Sequence, residues 1–164
     1  MGNTPQISVL FVCLGNICRS PTAHGVFHTL LHQRGLSERI AVDSCGTSGW
    51  HIGEAPDRRS TREAGRRGYD LKGLRARQFK ASDFEQFHYI LAMDYANLEQ
   101  LRALCPPDYS GHLGLFLAFA EGTAEKEVPD PYYGGADGFS HVLDLVEAAS
   151  EGLLREIDSA NTAR

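Results

Sequence analysis

A short stretch, residues 7–22, constrains the fold more than any other part of the chain. Residues 7–12 read Ile-Ser-Val-Leu-Phe-Val, which is typical of a strand buried on both faces. Ser20 and Pro21 predict an N-cap and a first helical turn, and apolar residues then recur at helical spacing until Gly35 ends the helix. The intervening loop should direct its N–H groups, together with the positive end of the helix dipole, at one point. The stretch therefore predicts an anion-binding loop.

Cys13 and Arg19 stand at the two ends of this loop. A helix N-terminus and a guanidinium favour the thiolate form of a cysteine, and the planar fork of arginine matches two oxygens of a phosphate. The pair predicts a site in which the Cys13 sulfur attacks a phosphoryl group in line. A lone cysteine is more often a buried packing residue, but here strand, loop, capping serine and arginine fall in register.

Composition limits the classes of protein that fit. The chain has 164 residues with 42% hydrophobic content, which predicts one domain over residues 1–164 with a substantial core. No apolar run approaches the ~20 residues of a membrane span, so we expect no membrane insertion. No secretory signal is visible and two of the four cysteines lie in the reactive loop, which favours a reducing cytoplasm. A net charge of −5 gives no support for nucleic-acid binding.

Strand and helix patterns alternate along the rest of the chain. Strands are predicted at 40–44 and 88–93 and at the start of the apolar run 113–119, whose end the pattern does not settle. Helices are predicted after Asp57 and after Asp94, with a single turn at Ser82 and Asp83 and a last helix over 142–157. The segment 120–138 is a predicted long loop. This alternation predicts an α/β fold, a three-layer doubly wound parallel sheet.

Ligands of such sheets bind beyond the carboxyl ends of the strands. Cys13 follows the first strand, Ser44 ends the second, and Asp94 follows the third. We therefore expect these three residues to converge on one edge.

The loop resembles the signature of the low-molecular-weight protein tyrosine phosphatases, which here reads Val-Cys-Leu-Gly-Asn-Ile-Cys-Arg-Ser-Pro over residues 12–21. Other stretches carry the same resemblance: Asp43-Ser44-Cys45-Gly46-Thr47, Trp50-His51, Arg75-Ala76-Arg77-Gln78, Ala92-Met93-Asp94 and Asp130-Pro131-Tyr132-Tyr133. The resemblance spans nearly all of the chain. It implies a four-stranded flavodoxin-like sheet in order 2-1-3-4. It also implies hydrolysis of protein phosphotyrosine and small aryl phosphates through a cysteinyl-phosphate, without metal or cofactor.

The resemblance assigns Asp130, in the long loop, as the general acid of the first step and the base of the second. Phosphoryl transfer from tyrosine expels a phenolate whose conjugate acid has a pKa of ~10, so a positioned acid is needed. An Asp-Pro pair alone is usually only a turn. Tyr132 and Tyr133 could wall the substrate cleft, and Trp50 lies where the family places a rim residue.

The residues between Cys13 and the helix are expected to bind phosphate: Leu14, Gly15, Asn16, Ile17, Cys18 and Arg19. Gly15 lets the backbone come close to phosphate, and Asn16 tolerates a left-handed conformation that turns its N–H inward. Ser20 is expected to donate its hydroxyl to the Cys13 thiolate, and Ser44 is expected to brace Asn16.

Cys18 has two readings. It is either a small packing residue at the helix start or, as the resemblance implies, a redox partner that forms a disulfide with oxidised Cys13. We favour the redox role.

Two positions depart from the family pattern. Many relatives carry a glutamate at the position of His24 and a histidine at that of Leu74, and the two side chains pair near the loop. Both differ here, so the support behind Asn16 and Cys18 must be built differently.

Three alternatives stay open. An arsenate reductase on the same fold needs further paired cysteines, and Cys45 and Cys105 lack the spacing. Protein-arginine phosphatase activity goes with threonine at the position of Ile17. A non-catalytic phosphoprotein-binding module would need neither a nucleophile such as Cys13 nor an acid such as Asp130.

The expected partners are tyrosine-phosphorylated proteins. Relatives act on tyrosine autokinases, on host proteins or on general phosphotyrosine pools, and the sequence does not choose among these. We expect a monomer or weak dimer. The basic segment 58–80 is either a solvated helix face or a surface that steers acidic partners.

Overall fold

A computed structural model describes residues 6–131 and 135–162 of the chain. The elements follow one another as β1 Ile7–Cys13, α1 Arg19–Gln33, β2 Ile40–Gly46, α2 Arg58–Arg66, α3 Asp83–Gln86, β3 Tyr89–Ala92, α4 Tyr95–Leu104, β4 His112–Leu115, a 3₁₀ turn Phe116–Phe119, and α5 Ala136–Thr162. Tyr132 and Tyr133, predicted to wall the cleft, lie outside the described residues.

The four strands form one parallel sheet in the order β2-β1-β3-β4, which confirms the predicted topology. β1 is central, and residues 9–12 are fully buried between the two helical layers. In the register, Cys13 pairs with Gly46 on β2, and Val12 pairs with Ala92 on β3. The carboxyl ends of these strands are therefore level, and the segments that follow them meet at one edge of the sheet.

Each face of the sheet has its own apolar core. On one face, where α1 and α5 pack together, Phe11 meets the rings of Phe27 and Phe116 edge-on, with centroids 5.8 and 4.8 Å away. On the other face, Leu10 and Val12 belong to a cluster with residues of α3, β3 and α4. This arrangement is the predicted three-layer fold.

Most predicted boundaries agree with the structure, and two do not. α1 begins at Arg19 with Cys18 at the N-cap position and no side-chain cap, so the prediction of Ser20 as N-cap is wrong. The Ser20 hydroxyl is instead bonded within the loop. The last helix begins at Ala136, inside the loop predicted to reach residue 138. The sequence left open where the strand in the apolar run from Leu113 ends; in the structure β4 stops at Leu115 and a 3₁₀ turn follows.

None of the helices in the described parts of the chain is long and apolar enough to cross a membrane.

Candidate active site

The loop between β1 and α1 is held from outside through its carbonyl groups. The N–H groups of Thr47, Ser48 and Asp57 donate to the carbonyls of Cys13, Leu14 and Ile17 at 2.9, 3.0 and 2.7 Å. These carbonyls therefore point away from the centre of the loop. The backbone groups that face the centre are then N–H groups. Such a ring of N–H groups at a helix start binds anions.

The Cys13 side chain lies at the centre of the loop and is 3% exposed. The Asn16 N–H donates to Cys13 Sγ at 3.3 Å, and Ser20 Oγ lies 3.0 Å from the same sulfur. Because Asn16 Nδ2 donates to Ser20 Oγ at 2.7 Å, the serine can direct its own proton at the sulfur. Ser20 therefore lies where the predicted hydrogen bond from its hydroxyl to the Cys13 sulfur requires it.

The backbone of Asn16 is left-handed, with φ 58°, which confirms that prediction. No other non-glycine residue within 6–131 and 135–162 has a positive φ. The Asn16 side chain is buried and accepts a bond from the N–H of Arg77 at 3.0 Å. The conformation that turns the Asn16 N–H inward is therefore fixed from two directions, by Ser20 and by the backbone of residue 77.

Ser44 does not brace Asn16, so that prediction is wrong. The Ser44 hydroxyl lies 3.1 Å from Nδ1 of His24, the residue that departs from the family pattern. Burial lowers the pKa of His24 to about 4, so its imidazole is neutral at pH 7. The hydrogen-bond partner of the Ser44 hydroxyl is therefore a neutral histidine. Leu74, the second position that departs from the family pattern, packs against the apolar core.

Arg19 is buried and lies between two carboxylates. Its Nη1 donates to Asp94 Oδ2 at 2.6 Å and to the carbonyl of Val128 at 3.0 Å, while Nη2 lies 3.8 Å from Asp130 Oδ2. Burial opposes the charge of Arg19, but Cys13, Asp94 and Asp130 raise its pKa above the ordinary value. The guanidinium is therefore permanently charged and fixed in direction.

Asp94 is a further residue of the site. Its contact with Arg19 was not predicted from the sequence. Its Oδ1 accepts from the N–H of Asn97 at 2.8 Å in a capping box, as the predicted cap of α4 requires. Its Oδ2 holds Arg19. The available signal was its position, because Asp94 follows the third strand at the same edge of the sheet as Cys13.

The loop forms the floor of a cleft of about 170 Å³. The cleft is lined by Cys13, Leu14, Gly15, Ile17, Cys18, Arg19, Trp50, His51 and Asp130. Asp130, with 44% of its side chain exposed, and Trp50, 74% exposed, stand above the buried loop. The structure thus brings the predicted Cys13, Arg19, Asp130 and Trp50 together, and it adds His51, which was not predicted.

Cys18 is buried beside this floor and is 5% exposed. Burial, and secondarily the negative charge of Asp57, raises the pKa of Cys18 to about 12. Cys18 therefore keeps its proton at neutral pH and does not compete with Cys13 for the phosphorus of a substrate.

An ion pair between the half-buried Arg77 and the buried Asp83 stands behind the loop. Both guanidinium Nη atoms of Arg77 donate to the Asp83 carboxylate at 3.1 Å, and Nε donates to Asp43 Oδ2 at 3.0 Å. Asp83 is 0% exposed. The backbone of Arg77 contacts the site, since its N–H donates to Asn16 and its carbonyl accepts from Gly46 N–H at 2.8 Å. Asp83 thus reaches Asn16 through Arg77, although the sequence presented it only as a residue at a helix start.

The basic segment 58–80 is partly neutralised within the chain. Its members Arg59, Arg66 and Arg67 form ion pairs with acidic side chains, as Arg77 does. Much of the segment is therefore a self-paired surface, which favours the solvated-face interpretation for these residues.

The comparisons with known proteins agree with this geometry. Residues 8–163 match the family described as low molecular weight phosphotyrosine protein phosphatase. The chain belongs to this family. A relative of that name from Schizosaccharomyces pombe is 43% identical over 155 residues, covering 94% of this chain and 99% of its own.

Solved structures agree as well. A protein tyrosine phosphatase from Entamoeba histolytica superposes with a TM-score of 0.91 at 39% identity, covering 94% of this chain and 99% of its own. A structure described as Drosophila arginine phosphatase superposes with a TM-score of 0.84 at 31% identity, covering 91% and 96%. The fold is therefore shared by proteins described as acting on different phosphorylated residues.

Replacing Asp83 with asparagine tests whether its ion pair with Arg77 positions the loop. Asp83→Asn removes the charge that fixes Arg77, so the Asn16 N–H loses its fixed direction. We expect kcat toward an aryl phosphate to fall by about 10²-fold, the order of loss that follows a misplacement of about 1 Å. Vanadate, an anion that the loop should bind, should bind more weakly in parallel.

Glu85→Gln is the matched control, because Glu85 is an exposed acid on the same short helix. It should leave kcat and vanadate affinity unchanged. Both Asp83→Asn measurements are made at a temperature where circular dichroism shows the variant folded. Unchanged kcat and vanadate affinity in the folded variant would show that Asp83 does not position the loop.

Proposed function

We propose that this protein hydrolyses phosphotyrosine in proteins, and small aryl phosphates, in two steps through a phosphoryl group on Cys13. The observation that carries the proposal is the placement of Cys13, Arg19 and Asp130 on one cleft of a phosphotyrosine phosphatase fold. A buried sulfur, a fixed guanidinium and a half-exposed carboxyl group are the three groups that this chemistry needs.

In the first step, the loop N–H groups and Arg19 hold the phosphate oxygens while the Cys13 thiolate attacks phosphorus. A P–S bond forms, and the P–O bond to the tyrosine breaks on the opposite side. Asp130, protonated, gives its proton to the departing phenolate oxygen. Asp94 and the Val128 carbonyl take up Nη1 of the guanidinium, so Nε and Nη2 of Arg19 are left for the phosphate.

In the second step, water attacks the cysteinyl-phosphate. The Asp130 carboxylate takes a proton from this water, a P–O bond forms, and the P–S bond breaks. The products are inorganic phosphate and the Cys13 thiolate, which Ser20 and the Asn16 N–H stabilise by hydrogen bonds.

Ile17 supports phosphotyrosine over phosphoarginine as the substrate. Its apolar side chain lines the cleft, at the position where threonine accompanies arginine phosphatase activity in this family. A flat aromatic ring suits an apolar wall and reaches a buried sulfur. The intact set of Cys13, Arg19 and Asp130 argues against a module that only binds phosphoproteins, because binding needs neither a nucleophile nor an acid.

The finer parts of the proposal rest on the sequence. They are a single domain over residues 1–164, a cytoplasmic location, a monomer or weak dimer, and tyrosine-phosphorylated protein substrates, for which a tyrosine autokinase is one candidate. The roles of Tyr132 and Tyr133 as cleft walls belong to the same set.

The role of Asp130 is tested by varying the leaving group of the substrate. Asp130→Asn should lower kcat by roughly 10²–10⁴ for phosphotyrosine, whose phenolate needs protonation. The loss should shrink for aryl phosphates with more acidic phenols, because these leave without a proton. The measurement is kcat for a series of aryl phosphates of increasing phenol acidity. Asp108→Asn, at an exposed acid elsewhere on the surface, is the control and should behave as the parent protein.

An equal loss for every leaving group would contradict the assignment of Asp130 as the acid. It would mean that this residue positions Arg19, from which it lies 3.8 Å, and that another group supplies the proton.

We also propose that Cys18 protects Cys13 from over-oxidation. Peroxide oxidises the Cys13 thiolate to a sulfenic acid, and the Cys18 thiol then condenses with it, forming an S–S bond and releasing water. Cys13 and Cys18 both line one cleft, which supports this step. The disulfide stops oxidation before the irreversible sulfinic acid.

Cys18→Ser should therefore keep most of the activity but lose most of its recovery by dithiothreitol after peroxide treatment. The measurement is the recovered fraction of aryl phosphatase activity. Cys105→Ser is the matched control, since Cys105 is a half-buried free cysteine outside the cleft lining, and it should recover like the parent. Full recovery of the Cys18→Ser protein would exclude this protecting role.

A further inference from the structure

Two large apolar side chains, Trp50 and Ile52, stand exposed on one turn, and Trp50 is also part of the lining of the cleft. They are 74% and 62% exposed, more than any other large apolar side chain of the described residues. We call this pair the apolar rim. Exposed apolar side chains that lie together usually mark a surface that another molecule covers.

The turn that carries the apolar rim is braced by hydrogen bonds. The Gly53 N–H donates to the carbonyl of Ala76 at 2.8 Å, and the Ala76 N–H donates to the carbonyl of Glu54 at 2.9 Å. Gly53 has φ 85°, a left-handed conformation that suits glycine at such a turn. The exposure of Ile52 is therefore held by the backbone around it.

The apolar rim reaches the catalytic cleft through Trp50. Trp50 and His51 line the cleft, and the ring of His51 lies so close to the loop that a Cβ on Gly15 would be 2.9 Å from its Cδ2. A substrate held against Cys13 thus leaves the cleft beside Trp50.

This connection identifies the occupant. In a phosphorylated protein, the tyrosine ring enters the cleft while the polypeptide on either side of it stays at the mouth. The residues that flank the phosphotyrosine must therefore lie over the rim. We propose that the apolar rim binds an apolar side chain next to the phosphotyrosine, so that the protein prefers phosphotyrosine segments with an apolar neighbour. This inference rests on the proposed function and specifies its substrate class.

The charge on the same turn points the same way. Glu54 is exposed and lies 2.9 Å from His51 Nδ1 through its Oε2. A carboxylate beside the rim repels an acidic flanking residue, while Trp50 and Ile52 offer only apolar contact. We therefore expect leucine beside the phosphotyrosine to be favoured over serine, and aspartate to be the least favoured.

The test uses one phosphotyrosine peptide with Leu, Ser or Asp immediately before or after the phosphotyrosine. The kcat/KM of each peptide is divided by kcat/KM for p-nitrophenyl phosphate, which carries no flanking residue. For the parent protein, this normalised kcat/KM should be about tenfold higher for the Leu peptide than for the Ser peptide at one of the two positions. Tenfold is the scale of discrimination by an apolar pocket. Ile52→Ser should bring this ratio close to one.

Leu104→Ser is the matched control. Leu104 is 61% exposed and ends α4, about 15 Å along the helix from the site at 1.5 Å per residue. The Leu104→Ser protein should keep the parent preference. Equal use of the three peptides by the parent, or an unchanged preference in the Ile52→Ser protein, would overturn the proposal. So would a parent dimer that Ile52→Ser converts to monomer in sedimentation, because a second copy would then cover the rim.

The proposed function can fail separately. If the parent hydrolyses neither the peptides nor p-nitrophenyl phosphate, the phosphatase assignment fails. The affinities of the same intact peptides, measured by calorimetry, then test whether the rim binds the flanking residue. Tighter binding of the Leu peptide, lost in the Ile52→Ser protein, supports the rim, and equal affinities overturn it.

Discussion

The site depends on the left-handed backbone of Asn16, which turns its N–H toward the Cys13 sulfur, 3.3 Å away. Asparagine tolerates this conformation better than most non-glycine residues, and its surroundings can fix it there. Here the Asn16 side chain is fixed between Ser20 and the backbone of Arg77. The side chain of Arg77 is in turn fixed by the buried Asp83. The loop is therefore shaped by the layer behind it as much as by its own sequence.

The two carboxylates near Arg19 have different roles, one structural and one chemical. Asp94 lies 2.6 Å from the guanidinium and also caps α4, so its position is fixed twice. Asp130 lies 3.8 Å away with 44% of its side chain exposed. A carboxyl group that exchanges a proton with a leaving group and with water must be reachable by both, whereas a group that orients an arginine need not be. The geometry thus supports different roles for two similar side chains.

The features that were predicted correctly from residue type and spacing are those that depend on neighbouring residues in the chain. The buried strand at 7–12, the left-handed Asn16 and the Asp94 cap follow from residue type and spacing, and all three are present. The strand order came from the family resemblance. Contacts between distant segments were not predictable, because no local pattern pairs Arg77 with Asp83 or His24 with Ser44. The same limit explains the error at Ser20. A good capping residue is used elsewhere when tertiary contacts offer its hydroxyl better partners.

The most direct test of the account is the chemical identity of the intermediate. The Asp130→Asn protein, whose second step lacks its base, is mixed with an aryl phosphate and denatured rapidly during turnover. Mass spectrometry of the intact protein and of its peptides then locates any phosphoryl adduct. The account predicts one adduct on Cys13, absent from the Cys13→Ser protein and retained in a protein that also carries Cys18→Ser. Turnover with no adduct on the protein, or with the phosphoryl group on any other residue, would contradict it.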